Sequence, residues 1–199
     1  MKVIKQILLS VVFVALTVCA KGQGTFVYDQ QSSDESNFGG GNASITPNQL
    51  IGQSFTPTFS SVGFIRLAIS DDALDGLGAT LYVNLRSGSI GGTIMASTDP
   101  VSVADHFAGT VDFLFPSAAA LTPGTVYYFQ PVIQSGGNFS VNGYNSFNYS
   151  GGMEFFLGQP KVSNDMWFRE GIITPEPSTI WLALLGGGVF LYARKLKRY

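Results

Sequence analysis

The stretch NFSVNGYNSFNYSGGMEFF interleaves Tyr144, Phe147 and Tyr149 with Asn138, Asn142, Asn145 and Asn148. Aromatic faces stack on the apolar faces of sugar rings, and amides hydrogen-bond sugar hydroxyls. Carried on a loop of a rigid scaffold, such a set is a candidate glycan-binding site. Alternating aromatics also fill sandwich cores, so packing is the competing reading of the same residues.

Other residues capable of chemistry are sparse. His106 is the only histidine, and no serine sits in a GxSxG context, so a nucleophilic triad has little to draw on. There is no HExxH and no Cys/His cluster, which argues against a zinc centre. Gly39-Gly40-Gly41 follows an acidic polar stretch instead of a strand and does not open a helix, so it reads as a flexible loop and not a phosphate cradle. Two acidic loops, Asp34-Glu35 and Asp71-Asp72…Asp75, offer oxygens of the kind Ca²⁺ takes six to eight of, although neither has EF-hand spacing. A hydrolase would need a carboxylate pair in a cleft from Asp99, Asp105, Asp112 and Glu154, a geometry that sequence does not supply. No catalytic residue, resident metal or cofactor is assigned on this basis.

Charge separates the chain into parts with different tasks. Lys2, Lys5 and Lys21 sit at the start; Arg194, Lys195, Lys197 and Arg198 sit at the end. Residues 25–173 keep Arg66, Arg86, Lys161 and Arg169 against twelve Asp and Glu, a balance of −8. Such a middle repels phosphate backbones, so nucleic acid is not an expected partner. The only cysteine, Cys19, lies in the first apolar run; the middle has no disulfide framework and depends on packing.

Residues 1–24 read as a secretory signal peptide: a basic start, an apolar run from Ile7 to Val18, then small residues, with cleavage after Ala20 or nearer Gly24. Leu16-Thr17-Val18-Cys19 half-fits a lipobox and keeps lipidation of Cys19 open as an alternative.

Residues 25–173 read as one all-β domain. Strand signals recur at Thr25–Tyr28, Leu50–Phe55, Val62–Ile69, Thr80–Leu85, Thr93–Ala96, Gly109–Phe115, Thr125–Ile133, Phe139–Val141, Met153–Leu157 and Met166–Arg169. Leu81, Val83 and Leu85 alternate with Tyr82, Asn84 and Arg86, the period of a half-buried strand. In GFIRLAIS, Phe64, Ile65, Leu67 and Ile69 are assigned to one face, opposed by Arg66 and Ala68. Leu121-Thr122-Pro123-Gly124 is a turn in which Pro fixes φ and Gly accepts a positive φ. A single helical turn is expected around Ser117–Leu121. About ten short strands with turns between them predict an antiparallel two-sheet sandwich of jelly-roll type.

Residues 174–199 differ from everything before them. Pro175-Glu176-Pro177-Ser178 keeps the backbone extended. The apolar run that follows carries Ile180, Trp181, Leu182, Leu184, Leu185, Val189, Phe190 and Leu191. As a helix, the fourteen residues from Ile180 to Ala193 reach about 21 Å, against a hydrocarbon core of roughly 30 Å. Gly186-Gly187-Gly188 weakens the helix further. Arg194, Lys195, Lys197 and Arg198 form a basic stop that holds the end in the cytoplasm. A marginal span suits a temporary stay in the membrane; an ordinary single-pass anchor is the alternative.

A Pro-Glu-Pro-Ser-Thr motif, an apolar run and a terminal Arg/Lys cluster, in that order, resemble the PEP-CTERM sorting signal of Gram-negative bacteria. The resemblance implies recognition by an exosortase, with the tail removed or replaced during export, typically in bacteria that make extracellular polysaccharide. It implies passage through the inner membrane and then residence at the cell surface or in the extracellular matrix. The middle is similar to the sandwich domains often found ahead of this signal, through Tyr127-Tyr128-Phe129 and Trp167-Phe168-Arg169-Glu170-Gly171. That likeness assigns no activity. The expected function is a non-catalytic exported protein, or alternatively a glycan-binding module with extracellular polysaccharide as its partner.

Overall fold

The computed structural model describes residues 24–32, 41–46, 49–73, 75–144 and 149–175, with the side chains of residues 41, 42 and 144 excepted. The chain divides into Phe26–Ile173 and a second unit made of Met1–Thr25 and Thr174–Tyr199, nearly all of which lies outside the described residues. The signal-peptide reading and the apolar and basic parts of the tail fall there. Among the described residues no helix is long and apolar enough to cross a membrane.

All regular structure in the described residues is β. The strands are β1 (Thr25–Gln31), β2 (Gly41–Ile45), β3 (Gly52–Phe55), β4 (Ser61–Asp71), β5 (Ala79–Ser87), β6 (Thr93–Ser97) and β7 (Val101–Val103). They continue with β8 (Ala108–Ala120), β9 (Tyr127–Gly136), β10 (Phe139–Tyr144), β11 (Glu154–Phe156), β12 (Gln159–Lys161), β13 (Asp165–Met166) and β14 (Phe168–Thr174).

Two antiparallel sheets result. In the first, β14 and β10 pair with β4, β1 pairs with β14, β8 pairs with β4, and β2 and β13 pair with β10. Across Phe64–Leu67 the local order is therefore β1-β14-β4-β8. The second sheet runs β12-β11-β3-β9-β5-β6, with β7 also on β5. Its central order, β3-β9-β5-β6, interlocks with the first: the chain passes from β3 to β4 to β5, and from β8 to β9, changing sheet each time. The first strand lies beside the last. This is the jelly-roll wrap of a β-sandwich.

The alternation that marked the strands sets which side chains meet between the sheets. Ile65, Leu67 and Ile69 of β4 and Val111, Phe113 and Phe115 of β8 face Leu81, Val83 and Leu85 of β5 and Phe129 and Ile133 of β9 in one core. Fully burying such a side chain is worth about 1.5–3 kcal/mol, and here no disulfide shares the task. Phe64 departs from its expected face. The period of two places it with Arg66 and Ala68 on the outer side, where its ring meets Phe26 edge-on at 4.7 Å and Tyr28 at 5.7 Å. Arg66 lies over Phe26 and Tyr28 and bonds Asp112 through two nitrogens, at 2.5 and 3.0 Å.

Two other local expectations change. The helical turn expected at Ser117–Leu121 is absent: β8 continues to Ala120, its end paired with Ser61 and Val62 of β4. Cross-strand pairing there overrides the helix preference of the alanines. The strands β2 and β12 carry few apolar residues, and β7 is three residues long, so the alternation that signals a strand is not visible in them. The Thr-Pro-Gly turn forms as expected, with Gly124 at φ 78° and the Thr125 amide bonded to the Thr122 carbonyl at 3.1 Å, a type II turn.

Candidate functional site

The segment with sequence-level functional content begins where the last strand stops. β14 ends at Thr174 and Pro175, exposed, follows it directly. Proline lacks the N–H that would extend the ladder, so strand pairing terminates at the first residue of the Pro-Glu-Pro motif. Glu176, Pro177, Ser178 and the residues beyond lie outside the described set.

Within the sandwich, polar side chains gather in two places. The first is inside. Asp165, fully buried on β13, accepts the Gln53 side-chain amide at 2.8 Å through one oxygen and the Tyr149 backbone amide at 2.8 Å through the other. Gln53 also accepts the Met166 amide at 2.9 Å. The Tyr149 hydroxyl accepts the Thr56 amide at 3.1 Å and donates to Gln30 at 3.0 Å, and Gln30 donates to Asp29 at 3.1 Å. Asp29 caps the turn after Pro57: one oxygen takes the Thr58 and Phe59 amides at 2.7 and 2.8 Å, the other the Thr58 hydroxyl.

At the end of this chain stands Glu170. It is 0% exposed and neither carboxyl oxygen completes a hydrogen bond. Burial lifts its pKa to about 8, the Asp29 charge adds to the rise, and the nearby Gln30 amide offsets little of it. At neutral pH Glu170 therefore keeps its proton and can donate it toward Asp29. For Asp29, burial pushes upward, but hydrogen bonds from Thr58 and Phe59 prevail and hold it below the ordinary value. Burial pushes the Tyr149 phenol up to about 12, with Glu170, Asp29 and Asp165 adding to it. The pair resembles a split acid dyad in its charges, yet Glu170 is sealed from solvent.

The second polar group lies on the outer face of the second sheet. Arg86 donates to the Gln130 side-chain oxygen at 2.8 Å and to the Gly92 carbonyl at 2.6 Å. The Gln130 amide reaches the Gln49 carbonyl at 3.2 Å, and Asn84 accepts from Ser97 at 2.7 Å. Register sets Arg86 beside Tyr128 and Asn84 beside Gln130. Phe155 meets Tyr128 edge-on at 5.5 Å.

The residues singled out by sequence fall as follows. Tyr149 is 7% exposed and packs edge-on against Phe168 at 5.1 Å, inside the core and not on a surface loop. The side chain of Tyr144 and all of Phe147 lie outside the described residues. Asp71 takes the Ala73 and His106 amides at 3.0 and 2.9 Å, and Asp75 takes the Leu77 amide at 2.9 Å, so these carboxylates cap loops. Among the described residues no group of three or more His, Cys, Asp or Glu is placed to hold a metal ion; Asp34-Glu35 lies outside them. His106 is exposed, at φ 60°, with Asp105 3.3 Å from its ring. Asp112 pairs with Arg66, Asp99 is exposed after β6, and Glu154 is buried on β11, where burial raises its pKa and Lys161 partly opposes this. Asp112 and Glu154 belong to different sheets.

Asp29, Gln53, Asp165 and Glu170 escaped sequence reasoning. One signal was available: Glu170 shares parity with Phe168 and Ile172, a carboxylate on the apolar side of a strand.

Residues 174–198 match the PEP-CTERM protein-sorting motif. The motif marks an exported protein that transits the membrane and is processed by an exosortase, itself a membrane protein. No curated protein matches the chain.

Proposed function

We propose that this chain is a non-catalytic β-sandwich protein delivered to the cell surface or extracellular matrix through its C-terminal sorting motif. The observation that carries this reading is the matched motif at 174–198, which begins on the last residue of the last strand of the sandwich. Pro175 has no N–H with which to extend the ladder, and β14 stops at Thr174. The marginal apolar run and basic stop then hold the motif at the membrane until processing. Signal-peptide cleavage at the other end completes export.

Changing Pro175 and Glu176 together to Ala tests this. Mass spectrometry of the wild type from its host is expected to find the tail removed; the double variant should keep it. Identical C-termini in the two would sink the reading.

The second reading is a glycan-binding module that meets extracellular polysaccharide. What favours it is the outer face of the second sheet, where half-buried tyrosines stand among amides and an arginine. Titration of the full-length chain against matrix polysaccharides, read as heat released, distinguishes it from a purely structural role.

A further inference from the structure

The four cations of residues 25–173 are not equivalent. Arg66 forms an ion pair with Asp112. Arg169 lies 4.6 Å from the Tyr28 ring and 6.0 Å from that of Trp167. Lys161 lies over Phe156 and acts on buried Glu154. Arg86 is bonded to two neutral oxygens, those of Gln130 and Gly92, and among the described residues it forms no ion pair. A guanidinium carries five N–H groups in a planar fork. These two bonds use one N–H on Nε and one on Nη1 and fix the plane without neutralising it.

That plane is built to stay in place. Gln130, 5% exposed, is anchored by the Gln49 carbonyl, and the adjacent Asn84 is anchored by Ser97. These buried amides are positioning residues. The groups left half-exposed are Arg86, its cross-strand neighbour Tyr128 and, farther along β5, Tyr82. From Arg86 to Tyr82 is four residues of strand, about 13 Å at 3.3 Å per residue. Phe155 braces the Tyr128 ring from its edge. A fixed cation without a counter-charge, beside one phenol ring and about 13 Å along the strand from a second, in a domain of balance −8, is a place for one carboxylate attached to something flat and partly apolar.

We propose that the outer face of β5 and β9 binds an acidic polysaccharide containing uronate, its carboxylate held by Arg86 and its sugar rings lying on Tyr128 and Tyr82. Arg–carboxylate pairing in a fork is the strong form of the bond, and the tyrosines supply the stacking surface. This inference rests on the glycan-binding reading and moves it from the Tyr144–Tyr149 loop to the sheet face.

The test titrates full-length chain with oligogalacturonate and with a neutral glucan of similar length. Oligogalacturonate should bind and the glucan should not. Arg86→Gln should weaken binding at least tenfold and Tyr128→Ala severalfold, with unchanged circular dichroism. If Arg86→Gln fails to fold, hydrogen exchange on the wild type decides instead: added oligogalacturonate should slow exchange in β5 and β9. Binding of the glucan but not the uronate overturns the charge assignment and leaves glycan binding standing. Uronate binding untouched by Tyr128→Ala, or protection elsewhere than β5 and β9, overturns the face. Binding of neither sugar removes both the inference and the reading beneath it.

Discussion

The two polar groups of the sandwich use similar residue types to opposite ends. Asp165, Gln53 and Tyr149 inside, with half-buried Gln30 and Asp29 at their edge, bond one another and nearby backbone amides. Outside, Arg86, Gln130 and Asn84 are just as ordered, but the arginine keeps an unneutralised charge at the surface. A buried group must find its partner within the protein or change its protonation; a surface group can wait for a ligand. The inner group staples β1, β3, β13 and the turn at Thr58 into one body, and the outer group leaves a surface prepared.

The sharpest break of this contrast is Asp165→Ala. It strands the Gln53 amide and the Tyr149 backbone N–H in the core at once. A loss of about 4 kcal/mol is expected, from two buried donors left without an acceptor at about 2 kcal/mol each. Asp165→Asn keeps an acceptor and should lose less. Chemical denaturation measures both; equal losses would mean that the asparagine NH2, set against one of the two N–H donors, costs as much as the lost acceptor.

Glu170 gives the next largest effect, and its sign can be worked out. Its folded-state pKa of about 8 lies above the ordinary 4.5, so the folded protein holds a proton that the unfolded chain releases. Its contribution is fully present below about pH 4.5 and is lost as the pH climbs toward 8. Each tenfold change in proton affinity is worth about 1.4 kcal/mol, so the loss amounts to roughly 3 kcal/mol after allowance for relaxation. Glu170→Gln removes the ionisation and should flatten the profile, leaving the variant more stable than the wild type at pH 9. Melting temperatures across pH 4–9 check this, and parallel curves for the two proteins would contradict it.

These cases explain what the sequence made legible. The sandwich class followed from period-two alternation, and the Leu81/Tyr82 to Leu85/Arg86 pattern placed Arg86 on the outer side correctly. Phe64 was misplaced because, in a strand apolar on both sides, composition hides parity. The inner network was hidden for another reason. Asp29, Gln53 and Asp165 are far apart in sequence, and their polarity suggests surface; only the wrap that sets β1 beside β14 and β3 beside β11 brings them together. Tyr149 illustrates the same limit, since its neighbours resemble a binding loop while its hydroxyl closes a core network. The sorting motif was fully legible because a short linear peptide carries its information without a fold.

Tyr149→Phe isolates that hydroxyl. The ring still packs on Phe168, but the Thr56 amide loses its acceptor and Gln30 its donor. A loss of about 1–2 kcal/mol is expected, with no change in oligogalacturonate affinity. Weakened sugar binding together with intact stability would instead return the binding site to the Tyr144–Tyr149 loop.

The smallest effect lies at the hairpin between β11 and β12, which carries Phe155 toward the outer face. Phe156 pairs with Gln159, so Leu157 and Gly158 form a two-residue turn with φ values of 53° and 77°, type I′. Glycine suits the second position. Leucine at the first is held in the left-handed region, which costs it roughly 1–2 kcal/mol, and its side chain is 62% exposed, recovering little by burial. Asparagine tolerates this conformation and precedes glycine in the favoured form of the turn. Leu157→Asn should therefore stabilise the protein by about 0.5–1 kcal/mol, measured as a rise in denaturation midpoint at constant slope. A loss of stability would mean that the exposed leucine is engaged, and so would link the hairpin tip to the binding face that Phe155 borders.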